Sequence, residues 1–106
     1  MEDSNRIIKL KELMAVTGSD NFLEHALALE YIKMGNDTEA RLLFENLLHR
    51  DPSYVGSYYH LAKLLERANE TELAKEVYLR GMDQAKAVSD QHSYNELMAA
   101  YEDLEY

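Results

Sequence analysis

Four histidines (His25, His49, His60 and His92) and a dense polar-aromatic run from Arg50 to Arg67 carry the side chains of this 106-residue chain that are equipped for chemistry. The run reads RDPSYVGSYYHLAKLLER and holds the only proline, Pro52, with Tyr58, Tyr59, His60, Lys63 and Arg67. Nucleophilic catalysis needs a nucleophile beside a base that a third group orients. Ser57, His60 and Glu66 supply the residue types, but neighbouring positions on one helix do not converge in that way. His92 and Glu96, four apart, place two metal donors on one helical face. Zinc takes three or four protein donors, so the pair is assigned to a surface or groove. Neither a glycine-rich phosphate loop nor a Gly-x-Ser-x-Gly elbow is present. With no cysteine, thiol chemistry, disulfides and sulfur-ligated metals are excluded. Recognition is expected rather than catalysis, with no metal and no cofactor.

Recognition requires a face. At about 100° per residue, the apolar side of SYYHLAKLLER is centred between Tyr58 and Leu61. Tyr59, Lys63 and Arg67 then line an adjoining stripe at i, i+4 spacing. Two readings stay open at this point. The stripe contacts a ligand, or Lys63 and Arg67 pair with Glu66, Glu70 and neighbouring acids on a solvated face, where such pairs contribute only ~0–1 kcal/mol.

Composition narrows the elements that hold this stripe. Four glycines and one proline among abundant Ala, Leu, Glu, Lys and Met favour an all-α chain of one domain. Twenty acidic against eleven basic residues give a net charge of -9, which opposes binding to nucleic acid. No charge-free apolar run approaches the ~18 residues of a membrane span, and MEDSNRIIKLKEL is charged rather than signal-like. A cytoplasmic protein away from membranes is expected.

Apolar stripes at helical period occur at Ala40, Leu43, Phe44, Leu47 and Leu48; at Tyr58, Leu61, Ala62, Leu65 and Ala68; and at Ala74, Val77, Tyr78, Gly81, Met82 and Ala85. Gly35 and Asn36 suit a helix end, with Asp37 as the next cap. Pro52 disfavours helix at Asp51 and ends the preceding helix near Arg50. Further breaks fall at Asn69 to Thr71, at Val88 to Gln91, and at TGSD after an N-terminal helix over 5–16. About six helices result. Gly81, inside one of them, costs ~1 kcal/mol relative to alanine, and its place on an apolar stripe points to close helix approach.

The chain overlies itself at an offset of 34 residues: Leu27 and Ala28 on Leu61 and Ala62, Ala40 on Ala74, Phe44 on Tyr78. Leu27, Ala28, Tyr31, Ala40, Phe44 and Pro52, then Tyr58, Leu61, Ala62, Leu65, Ala74 and Tyr78, resemble the tetratricopeptide repeat (TPR) pattern, as in small bacterial-type members of that family. Glu24 departs from it where an aromatic is usual, and Lys86 where proline is usual. The resemblance implies a TPR-like α-α superhelix, a right-handed stack of antiparallel helix pairs. Over residues 1–106 it implies a half-repeat helix at 5–16, repeats at 21–54 and 55–88, and a capping helix at 90–105 whose stripe is Tyr94, Leu97, Met98, Tyr101 and Leu104.

In proteins that this chain resembles, first helices of successive repeats line a concave groove for a peptide. Matching positions here are Phe22, His25, Leu29 and Lys33, then Tyr59, Lys63 and Arg67, then His92 and Asn95, with Ile32 and Ala99 beside them. Three cations, Lys33, Lys63 and Arg67, on matching positions of so acidic a chain favour an acidic, partly apolar protein segment as partner. A carboxylate clamp of Lys, Asn and Arg found in some relatives is not matched by His25, Leu29 and His60. The alternative is a self-associating subunit, a homodimer for instance, sealed through Ile7, Ile8, Tyr101 and Tyr106.

Overall fold

Six stretches of the sequence carry their own start and stop signals, and each forms an α-helix. A computed structural model describes residues 4–105; Tyr106, one of the residues proposed for self-association, lies outside them. The helices are α1 (Asn5–Thr17), α2 (Asn21–Lys33), α3 (Asp37–Arg50), α4 (Gly56–Arg67), α5 (Thr71–Ala87) and α6 (Gln91–Glu105), with no strand among the described residues.

Side-chain caps fix four of the starts by taking up amides that the first turn leaves free. Ser4 accepts from the Ile7 amide at 3.2 Å and Asp20 from Leu23 at 2.8 Å. Asp90 accepts from both the amide and the hydroxyl of Ser93, at 3.0 and 2.7 Å. At α3 the capping oxygen belongs to Asn36, which accepts from Glu39 at 3.3 Å, while Asp37 is already the first helical residue. The cap therefore falls one residue before the expected one, because Gly35 alone, at φ 75°, completes the preceding turn.

The ends repeat as faithfully as the side chains. After α2, Asn36 donates to the Tyr31 carbonyl (2.8 Å) and Gly35 to Ile32 (3.0 Å). After α4, Glu70 donates to Leu65 (2.9 Å) and Asn69 to Glu66 (3.0 Å), each bond shifted by 34 positions. These are paired Schellman bonds closing a helix on a left-handed residue, here Gly35 and Asn69, the latter at φ 62°. α5 ends the same way on Ser89 at φ 59°, with Asp90 bonded to Ala85 at 2.8 Å. α3 stops differently. Pro52 follows it, and Asp51 accepts from the amide and hydroxyl of Ser53 at 3.2 and 2.6 Å.

Two compact units divide the chain, Met1–Leu47 and Leu48–Tyr106. In the first, α1 packs on α2, and Ile7, Leu23, Leu27, Ala28, Tyr31, Ala40, Phe44 and Leu47 are buried. α1 contributes Ile7, with Leu10 and Met14 half-buried, whereas Leu13 is exposed. Its inner edge is thus rotated from the Leu10–Leu13 stripe that the 34-residue offset suggests. Two contacts accompany this rotation: Arg6 Nε lies 2.8 Å from Glu30 Oε1, and Lys11 Nζ lies 5.6 Å from the centroid of Tyr31.

In the second unit α5 packs against both α4 and α6. Its core holds Tyr58, Leu61, Ala62, Leu64, Leu65, Ala74, Val77, Tyr78, Ala85, Leu97 and Ala100. Gly81 sits at the closest approach. A Cβ there would lie 2.7 Å from Tyr58 Cβ and 3.0 Å from Leu97 Cδ1, which matches the close packing expected from its stripe. Tyr58 spends its hydroxyl on the Pro52 carbonyl at 2.6 Å, tying α4 to the turn before it.

Candidate functional site

Phe22, His25, Leu29 and Lys33 stand at i, i+3, i+7 and i+11 of α2, the spacing of one helical face. Phe22 is 71% exposed, a large share for a phenylalanine. His25 and Leu29 are half-buried, and the imidazole meets the ring of Phe44 edge-on with centroids 5.4 Å apart. Lys33 is exposed, with its ammonium 3.3 Å from Glu30 Oε1. Glu30 itself is buried and also receives Arg6, so one carboxylate oxygen faces two cations.

α4 carries the second face. Tyr59 is half-buried; its ring lies edge-on to His60 (centroids 5.6 Å apart) and tilted toward Tyr78 at 6.4 Å. The Lys63 ammonium stands over Tyr59, 5.5 Å from the centroid, a cation–π contact that contributes about 0.5–1 kcal/mol at an exposed site. One turn further Arg67 is exposed. Lys63 also lies 3.4 Å from Glu66 Oε2, the same oxygen that accepts the Tyr78 hydroxyl. Burial, then the bond to Glu66, push the Tyr78 phenol far above its ordinary range, so it stays protonated as a donor. The structure thus assembles Tyr59, Lys63, Glu66 and Tyr78 into one cluster.

His60, at the edge of this cluster, is half-buried. Burial lowers its pKa against an opposing pull from Glu96 of α6. The remaining expected site residues, His92 and Asn95, are exposed on the first turns of α6. They engage their own helix: His92 Nε2 is 3.5 Å from Glu96 Oε2, and Asn95 Oδ1 accepts from Gln91 at 2.8 Å. Among the described residues no three His, Cys, Asp or Glu side chains group as metal donors.

Glu66 and Tyr78 are the members of the cluster that the sequence did not assign to a site. Tyr78 overlies Phe44 at the 34-residue offset and so looks like framework. The extra hydroxyl is the only signal of its second task, and Glu66 is twelve positions away on another helix.

Helix ends that recur bond for bond at 34 positions define a helical-repeat protein. Crystal and solution structures of a tetratricopeptide repeat domain protein from Salinibacter ruber are 41% identical to this chain, at TM-scores of 0.80 and 0.79. Both similarities cover 82% of this chain, and 97% and 88% of the respective Salinibacter chains. The chain belongs to the tetratricopeptide repeat family. A protein from Bordetella parapertussis, 20% identical, shares the fold at a TM-score of 0.84 over 96% of this chain and 89% of its own. No protein-family model matches the chain, and no curated protein matches it. Among the described residues no helix is long and apolar enough to cross a membrane.

Proposed function

We propose that this chain is a non-catalytic adaptor that binds an acidic, partly apolar segment of a partner protein. The α4 face, with Tyr59, Lys63 and Arg67, and the α2 face, with Phe22, His25, Leu29 and Lys33, are each proposed contact surfaces; His92 and Asn95 of α6 are proposed to extend the former. Phe22 and Tyr59 act as aromatic anchors, since buried aromatics dominate interface energies. Lys33, Lys63 and Arg67 guide the acidic segment electrostatically. The observation that carries the reading is the stack of Lys63 on Tyr59: a cation and an aromatic surface fixed side by side on a helix face. Such a pair offers an incoming segment both charge and apolar area without first being ordered.

The test compares partners captured by the intact protein and by a Lys63→Glu, Arg67→Glu variant. Loss of a specific partner from the variant supports the proposal. Retention of every partner at equal yield rejects it. Self-association is a second reading: of the residues expected to seal it, Ile7 is buried in the core and drops out, while Ile8 is 44% exposed, beside Leu13 and Val16 of α1 at 46% and 85%. A monomer mass by light scattering that does not change with concentration removes it.

A further inference from the structure

The Lys63 ammonium that should attract an acidic segment already has a carboxylate beside it, and that carboxylate is held in place. Glu66 Oε2 stands 3.4 Å from Lys63 Nζ while accepting a hydrogen bond from Tyr78, whose side chain is completely buried between helices. A glutamate on an exposed helix turn normally has rotamer freedom to swing away from an arriving anion. Here the buried hydroxyl removes that freedom. Both partners of the ion pair keep a path to solvent, with 34% of the Lys63 side chain and 24% of the Glu66 side chain exposed, so the pair lies on a reachable face.

We infer that Glu66 is an internal competitor for the Lys63 charge and sets the affinity of this face for carboxylate-bearing ligands. An incoming Asp or Glu must share the ammonium with Glu66 and approach a fixed negative charge a few ångströms away. Its gain from Lys63 is thereby reduced. Tyr78 is a positioning residue in this scheme, acting through Glu66 rather than on the ligand. The inference rests on the proposal that this face binds an acidic segment.

The experiment uses the tightest binder from a displayed library of acidic amphipathic peptides, labelled with fluorescein and titrated at low salt. Glu66→Gln keeps an acceptor for Tyr78 and removes the charge. Glu76→Gln, at an exposed position of α5, makes the same change in net charge away from the cluster. Glu66→Gln should bind about two- to fivefold tighter, the range that loss of one exposed charge pair allows, and Glu76→Gln should match the parent. The gain should shrink when Lys63→Gln is also present, to the part that comes from relieving the direct repulsion between Glu66 and the peptide. Equal or weaker binding by Glu66→Gln, with Lys63→Gln still weakening the parent, overturns the competitor role and leaves the binding face intact. If Lys63→Gln changes nothing, or no library member binds, the binding face itself is wrong and the inference falls with it.

Discussion

Replacing Gly81 with alanine adds one methyl carbon at the point where α4, α5 and α6 come closest. That carbon would lie 2.7 Å from Tyr58 Cβ, 2.9 Å from Tyr58 Cγ and 3.0 Å from Leu97 Cδ1. Ordinary carbon–carbon contacts fall at about 3.5–4.0 Å, so α4 and α5 must separate by nearly an ångström. Tyr58 Cβ is fixed to its backbone and cannot rotate aside, and the Tyr58 hydroxyl is tied to Pro52. Overpacking of this kind costs about 1–3 kcal/mol, and the clash with a fixed atom places it in the upper half. Alanine returns about 1 kcal/mol through its helix propensity. The net loss is about 1–2 kcal/mol. Urea denaturation followed by circular dichroism should show a lower midpoint at unchanged slope. A gain of about 1 kcal/mol, the value for an uncrowded helix interior, would refute the close approach.

Three further outcomes follow from the same contacts. Tyr58→Phe removes the 2.6 Å bond to the Pro52 carbonyl and should cost about 0.5–1.5 kcal/mol by the same denaturation assay. Asp90 has its pKa lowered, chiefly by the Ser93 amide and then by the Ser93 hydroxyl, so its cap stabilises α6 fully above the ordinary aspartate pKa and loses that contribution as pH falls through the depressed value. The stability difference between the parent and Asp90→Ala should therefore shrink on acidification, to the part that a neutral capping carboxyl retains. Burial lowers the His60 pKa, so its neutral form is favoured by folding; its contribution is complete above the ordinary imidazole pKa and declines as pH falls through the lower folded value. An NMR titration of the His60 ring should place its midpoint below the ordinary histidine range.

Much of the architecture was legible in the sequence because it is local. Pro52 stops α3 at Arg50 through a steric effect on its immediate neighbour. Gly35 and Asn69 recur at 34 positions because the Schellman turn needs a residue that tolerates positive φ. Gly81 stood out as a glycine on an apolar stripe, and only tight packing rewards that placement. The misplacements are equally physical. The 34-residue offset suggested Leu10 and Leu13 for α1, but only Leu10 is half-buried; Leu13 is exposed, and Ile7 is the residue that is buried. Tyr59 and Lys63 share a stripe that can be counted from the sequence. The pairing of Lys63 with Glu66 was one of the two readings open from the sequence, whereas the hydrogen bond from Tyr78 to the same carboxylate was not, because it depends on where α5 packs.

In the proposed function the α4 face meets the partner. A photo-crosslinking amino acid placed at Tyr59, and in a separate variant at Leu79, an exposed position of α5, tests it most directly in lysate of the native cell. Binding at the α4 face gives a discrete crosslinked partner from position 59 that is absent from position 79 and is lost with Lys63→Glu and Arg67→Glu. Crosslinking of a specific partner from position 79 but none from position 59 would contradict it.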